Sequence, residues 1–311
     1  MERHDHLPSE ERLRDLPLAE APASIWASLE DSLARGEKPQ NRFPVWQVAL
    51  AAACAAAVGV VYWTGTRKPG PRLEVVRLQG TPSIGSEHIG GTGQIAKGQW
   101  LETDASSKAL IQIGDIGTVQ VDPNSRVRLL ADRPEEHRLS LAQGKISARV
   151  FAPPRLFFVE TASSTAVDLG CAYTMSVDPS GNGLLQVTLG WVSLERGGRE
   201  SFVPAGASCR MRPKLGPGIP FFDDAPQPFQ QALADLDIDR KALDRVLRDA
   251  SVRDTLSLWN LLSRVDATDR TRVYDRMVQL APLPNDISAE KVLQLDPEAL
   301  QHWREELSSI W

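Results

Sequence analysis

From Leu73 to Met211 apolar and polar residues alternate in short runs, and turn residues cut most of the runs apart. The runs fall at 109–113, 119–121, 127–129, 139–141, 145–150, 156–159, 173–177, 185–189 and 192–194. Gly114-Asp115, Asp122-Pro123-Asn124, Gly144, Pro153-Pro154 and the Pro/Gly-rich 179–183 separate them. A side-chain period of two puts one set of residues on one face of a strand. Short strands with turn signals roughly every 8–12 residues are the pattern of an all-β sandwich or barrel-like domain. The expectation is a mainly β protein: an antiparallel β sandwich, jelly-roll-like, over 73–212, with two packed sheets each burying one face.

Upstream, residues 45–63 carry no charge. At about 1.5 Å per residue that run is long enough to cross a hydrocarbon core of roughly 30 Å. Trp46 lies near one end and Tyr62 and Trp63 at the other, where amphipathic rings favour the headgroup level. A buried helix of a soluble protein usually shows a polar face, and this run shows none beyond Gln47. A cleaved signal peptide has a shorter leader and a shorter apolar stretch. One transmembrane helix is expected here. Its direction is open, because Arg35, Lys38 and Arg42 on one side face Arg67, Lys68, Arg72 and Arg77 on the other.

The tail 1–44 holds Pro8, Pro17 and Pro22, and then one short amphipathic helix over 23–35. Ile25, Leu29 and Leu33 recur at helical spacing with Trp26 beside them, and Gly36 supplies a stop. A single stripe on so short a helix is marginal in water and needs a partner. With almost no basic residue to hold anionic lipid, a protein groove suits it better than a membrane surface. A juxtamembrane helix without a specific partner fits the same residues.

Past the β region, 213–229 is rich in Pro and Gly and reads as a semi-extended linker. Residues 230–311 read as helices. Leu256, Trp259, Leu262 and Val265 make one stripe, Val273, Met277 and Leu280 another. Asp296-Pro297-Glu298 is a start signal for a third, with Leu300, Trp303, Leu307 and Ile310 on one face. A helical unit of this size is marginal alone, which leaves packing back on the β part open.

Net charge is −5 over 311 residues and no segment is strongly basic, which argues against nucleic acid as a partner. The three cysteines make neither a disulfide framework nor a zinc spacing. Cys171 and Cys209 allow one bridge in an oxidising compartment, and two separately buried thiols are the simpler reading. His4 and His6 have no third ligand spaced for closure, so no metal is expected. Gly91, Gly93 and Ala96 fit the letter of a dinucleotide fingerprint, but extended sequence follows where a helix is required. His137, Asp132 and a serine make a triad on paper only. No catalytic residue and no cofactor is expected.

The β region resembles the FecR family. The likeness runs through Gly98, Trp100, Leu101 and Thr103, then residues 109–113, Asp115, Gly117, Val119, Val121, Ser125 and Val127. It continues through Leu139, Leu141, Gly144, Ile146 and Val150, then Phe158, Thr161, Ala166 and Leu169. Gly170-Cys171 stands where the family usually has Gly-Thr, and Tyr173, Val187, Gly190, Val192, Leu194 and Gly206 complete it. The resemblance implies a single-pass protein of the inner (cytoplasmic) membrane. Its N-terminus would be cytoplasmic, and its β and helical regions would be extracytoplasmic, facing an envelope protein or ligand. It further implies a relay of an envelope signal to a sigma factor, met by position through Ile25, Trp26, Leu29 and Leu33. The N-terminal part is shorter than the family's usual sigma-contacting region, and the helical C-terminal unit is not the usual receptor-docking segment.

Overall fold

The computed structural model describes residues 72–236 and 238–311, together with Glu30, Asp31 and Ala34, which are helical. The charge-free run 45–63 and the stripe residues Ile25, Trp26, Leu29 and Leu33 lie outside the described residues. Among the described residues no helix is long and apolar enough to cross a membrane.

Nine strands occupy the first half: β1 (Arg72–Gln79), β2 (Ser83–Ile84), β3 (Glu87–His88), β4 (Thr92–Ala96), β5 (Trp100–Glu102), β6 (Lys108–Ile113), β7 (Gly117–Val121), β8 (Arg126–Arg133) and β9 (Glu136–Val150). Nine more follow: β10 (Phe157–Glu160), β11 (Thr165–Asp168), β12 (Cys171–Val177), β13 (Gly183–Leu189), β14 (Trp191–Arg196), β15 (Arg199–Pro204), β16 (Ala207–Arg212), β17 (Gly216–Pro217) and β18 (Phe221–Phe222). They pair as two sheets. One runs β4-β1-β6-β7-β9-β12-β13-β16, with β17 and β18 on β16. The other runs β3-β2-β5-β8-β9-β10-β11-β14-β15.

Strand β9 belongs to both sheets, and its sequence shows why. Leu139 and Leu141 are buried in its first half, Ile146, Ala148 and Val150 in its second, so the inward set slips by one residue over 142–145. A slip of one turns every following side chain to the other face, which is how a strand leaves one sheet for its neighbour. Gly144 sits at this corner with φ 94°, and a Cβ there would lie 2.3 Å from the Ser125 Cα. The two runs expected at 139–141 and 145–150 are therefore one bent strand. Because its second half leaves, β10 returns beside the first half in parallel, Phe157 opposite His137 and Glu160 opposite Ser140. Every other pairing described is antiparallel, so this one departs from the expected all-antiparallel order.

The alternation fills one shared core. Ile95, Ile111, Val119 and Met175 from one sheet meet Leu101, Leu129, Val159 and Leu194 from the other. Burying each such side chain contributes about 1.5–3 kcal/mol relative to leaving it in water.

Six helices follow: α1 (Gln227–Leu236), α2 (Ala242–Asp249), α3 (Thr255–Leu262), α4 (Ala267–Leu280), α5 (Ala289–Leu293) and α6 (Pro297–Leu307). The Asp296 side chain caps α6 by accepting from the Ala299 N–H at 2.9 Å, with Pro297 at the first position. Helix α3 is buried nearly all round, Leu258 and Leu261 as well as Leu256 and Leu262, because it lies between β15 and the other helices.

The stretch expected as a linker does something else. Residues 216–222 are buried throughout, and Pro217, Phe221 and Phe222 pair with β16. Ile219 and Phe221 enter the helical core, while Phe222 joins the core between the sheets. Its prolines suit a sheet edge, where no N–H is needed. Polar contacts seal the same seam. Asn260 Oδ1 accepts from the Phe202 N–H at 3.1 Å, and Arg264 donates to the carbonyls of Pro217 at 2.7 Å and Glu200 at 2.8 Å. The helices thus pack back on the β part, and the described residues from Arg72 onward form one unit.

Candidate functional site at the chain-entry end

One end of the β part gathers residues far apart in sequence. Strand β1 starts where β6 ends, since Val75 faces Ile111 and Arg77 faces Ala109 in antiparallel register. From there the register leads across through Ile113–Gly117, Gly117–Val150, Cys171–Val150 and Ala172–Leu189. The end at which the chain enters β1 therefore also carries Gly117, Leu169, Gly170, Cys171 and Gly190.

The turn from β11 to β12 takes the chain from one sheet to the other at this end. Gly170 supplies φ 86° and its N–H donates to Asp168 Oδ1 at 2.7 Å. The Cys171 thiol donates to Asp168 Oδ2 at 2.6 Å, and Asp168 is 1% exposed. Burial pushes the Asp168 carboxyl above its ordinary value, and these hydrogen bonds recover only part of the loss. Burial first, then the neighbouring carboxylate, pushes the Cys171 thiol up, so it stays a thiol and a poor nucleophile. Tyr173 is fully enclosed beside them, its hydroxyl has no hydrogen-bond partner, and burial raises its pKa. Cys209 is a second buried thiol, and no bridge joins it to Cys171. This group is a structural corner.

Next to that corner, β strands and α6 enclose a cleft of about 290 Å³. Leu169, Trp191 and Phe202 form one wall, Arg304, Glu305 and Ser308 the other. Behind it stands an aromatic stack. Trp311 lies 6.1 Å from Trp191 and 6.4 Å from Trp259, and Phe202 meets Trp259 edge-on at 5.7 Å. Trp311 donates its indole N–H to Thr255 Oγ1 at 2.9 Å, and Trp259 donates to the Leu300 carbonyl at 3.2 Å. The Arg304 guanidinium lies 4.2 Å from the Phe202 ring centre and 5.7 Å from that of Trp259. Such stacking holds the guanidinium plane in place while its N–H edge stays available.

The remaining signature residues stand elsewhere and do local work. Gly98 turns the chain into β5 with its N–H on the Leu129 carbonyl at 2.7 Å. Trp100 is covered by Arg126 at 4.1 Å, and Leu101 is buried. Thr103 Oγ1 donates to the Asp122 carbonyl at 2.7 Å and accepts from the Ser125 N–H at 2.9 Å. Thr161 Oγ1 caps the 161–164 turn, Asp115 is exposed in the β6–β7 turn, and Gly206 donates to the Val187 carbonyl at 2.8 Å. Gly93 lies in β4, so a strand, not a helix, follows Gly91. His137 and Asp132 are cross-strand neighbours joined at 2.7 Å, with no serine among their hydrogen-bond partners. The sequence marks Leu169 only as a structural residue of the family signature and Trp259 as part of a core stripe, and it does not single out Asp168, Trp191, Phe202, Arg304, Glu305 or Trp311. Only the pairing of β14 with β15 and the docking of α6 bring these together.

Residues 99–193 match the family model described as "FecR protein". That range spans β5 to β14 and the Asp168–Cys171 corner. Residues 99–193 thus form a domain that matches the FecR model, and the helical unit packs against the β part that contains it. No curated protein matches the chain. Two crystal structures of a "putative anti-sigma factor" from Parabacteroides distasonis are similar to it at 13% identity and a TM-score of 0.36. The alignment covers 44% of this chain and 64% of that one, less than two thirds of its length.

Proposed function

We propose that the protein is a non-enzymatic, FecR-like, single-span regulator of the cytoplasmic membrane that relays an envelope signal to a sigma factor. The observation that carries this reading is the FecR domain at 99–193, set downstream of the charge-free run 45–63. Residues 1–44 are then cytoplasmic, and the β and helical regions lie outside. The stripe Ile25, Trp26, Leu29 and Leu33 is the surface offered to the sigma factor. The cleft beside Leu169 and Trp191 is the sensing site, since it shares an end of the β part with the start of β1. An event there acts on the Asp168–Cys171 corner, at the end of the β part where β1 begins. No nucleophile–base pair is needed. The experiment is transcript profiling of cells carrying the wild-type chain, a deletion, or Leu29→Asp with Leu33→Asp. The deletion and the double variant should change the same sigma-dependent transcripts, and unchanged transcripts would refute the relay.

The cleft also supports a second reading, a membrane-tethered envelope binding or scaffold protein with an inert tail. In that case the double variant alters no transcript, while binding at the cleft persists.

A further inference from the structure

The two walls of the cleft differ in character. Leu169, Trp191 and Phe202 offer carbon surface, and Arg304, Glu305 and Ser308 offer a donor edge, an acceptor and a hydroxyl. Arg304 makes no ion pair with a carboxylate among the described residues and is held by the rings of Phe202 and Trp259. Ser308 Oγ donates to the Glu305 carbonyl at 2.6 Å and Glu305 Oε1 accepts from Gln301 Nε2 at 2.9 Å, so it is the N–H edge of Arg304 that a wholly apolar occupant would leave without an acceptor. A carboxylate ligand drawn to Arg304 would meet Glu305 beside it. A neutral ring with one face of C–H bonds and a rim of hydroxyls satisfies both walls. Its C–H face meets the negative face of an aromatic ring, and its hydroxyls both donate and accept. The volume of about 290 Å³ admits one or two such rings in an open cleft.

We propose that this cleft binds a saccharide, seating a pyranose ring against Trp191 with its hydroxyls on Arg304 and Glu305. Sugar binding would give the sensing role its ligand, and it rests on that reading only for its consequence in the cell. Binding itself is measured without any sigma factor.

The test is calorimetric titration of the full-length chain with chitotetraose, cellotetraose and maltotetraose, and with a tryptophan-containing hexapeptide as the rival probe. At least one saccharide should bind with a Kd of about 1 mM or tighter. Glu305→Ala and Trp191→Ala should each weaken it about tenfold or more. Glu290→Ala, on the exposed face of α5, should leave it unchanged. Glu305 is exposed, so its removal spares the fold, and an unchanged melting temperature confirms that. No saccharide binding, binding of the peptide alone, or a Glu305→Ala protein that binds as tightly as wild type would each overturn the proposal.

Discussion

The Cys171 thiol donates to Asp168 Oδ2 at 2.6 Å, and both groups are buried where the chain passes from one sheet to the other. The folded state therefore holds a proton on Asp168 more tightly than the unfolded chain does. Its stabilising contribution is fully present below the unfolded value of 3.8 and is lost as pH rises through the folded pKa. Asp168→Asn, which carries no charge at any pH, should remove that loss. Denaturant melts across the acid range should show the variant gaining on wild type as pH rises.

Asp269 should behave in the opposite sense. Hydrogen bonds from Arg240 and then Arg272 hold its carboxyl below the ordinary value. That contribution is present above 3.8 and is lost as pH falls through the folded pKa. Asp269→Asn should therefore cost stability near neutrality and much less in acid, read by the same melts.

Gly190 has φ 69°, and a Cβ on it would stand 2.1 Å from the Gly170 carbonyl oxygen. Gly197 has φ 55° with open space around it. Gly197→Ala should cost about 1–2 kcal/mol, the left-handed backbone penalty alone. Gly190→Ala should cost about 3 kcal/mol or more, because two strand ends must also separate. Urea unfolding midpoints distinguish the two.

Asn260→Ala should leave the part-buried Phe202 N–H without this acceptor and cost about 1 kcal/mol. Because Phe222 and Leu256 share the inter-sheet core, the β and helical parts should still melt in a single transition. Two resolved transitions in the wild type would contradict that shared core.

Much of this was legible in the residues. The alternation at 109–113 or 173–177 marks β6 and β12 because one face of each is buried, and Asp296-Pro297 marks the start of α6 because capping is local chemistry. The one-residue slip at 142–145 was written there too, but it resembles an ordinary turn at Gly144 until both partners of β9 are known. Residues 216–222 misled because Pro and Gly suit linkers and sheet edges alike, and Ile219, Phe221 and Phe222 were the contrary signal. The cleft was illegible for a simpler reason. Leu169, Phe202 and Arg304 share no local pattern, and only tertiary packing makes them neighbours.

The stripe in the N-terminal tail carries the central claim, and its most direct measurement is co-purification of the full-length chain with each sigma factor of the source cell. One sigma factor should be retained by wild type and lost with Leu29→Asp and Leu33→Asp together. Retention of none by the wild type, or equal retention by the double variant, would contradict the account.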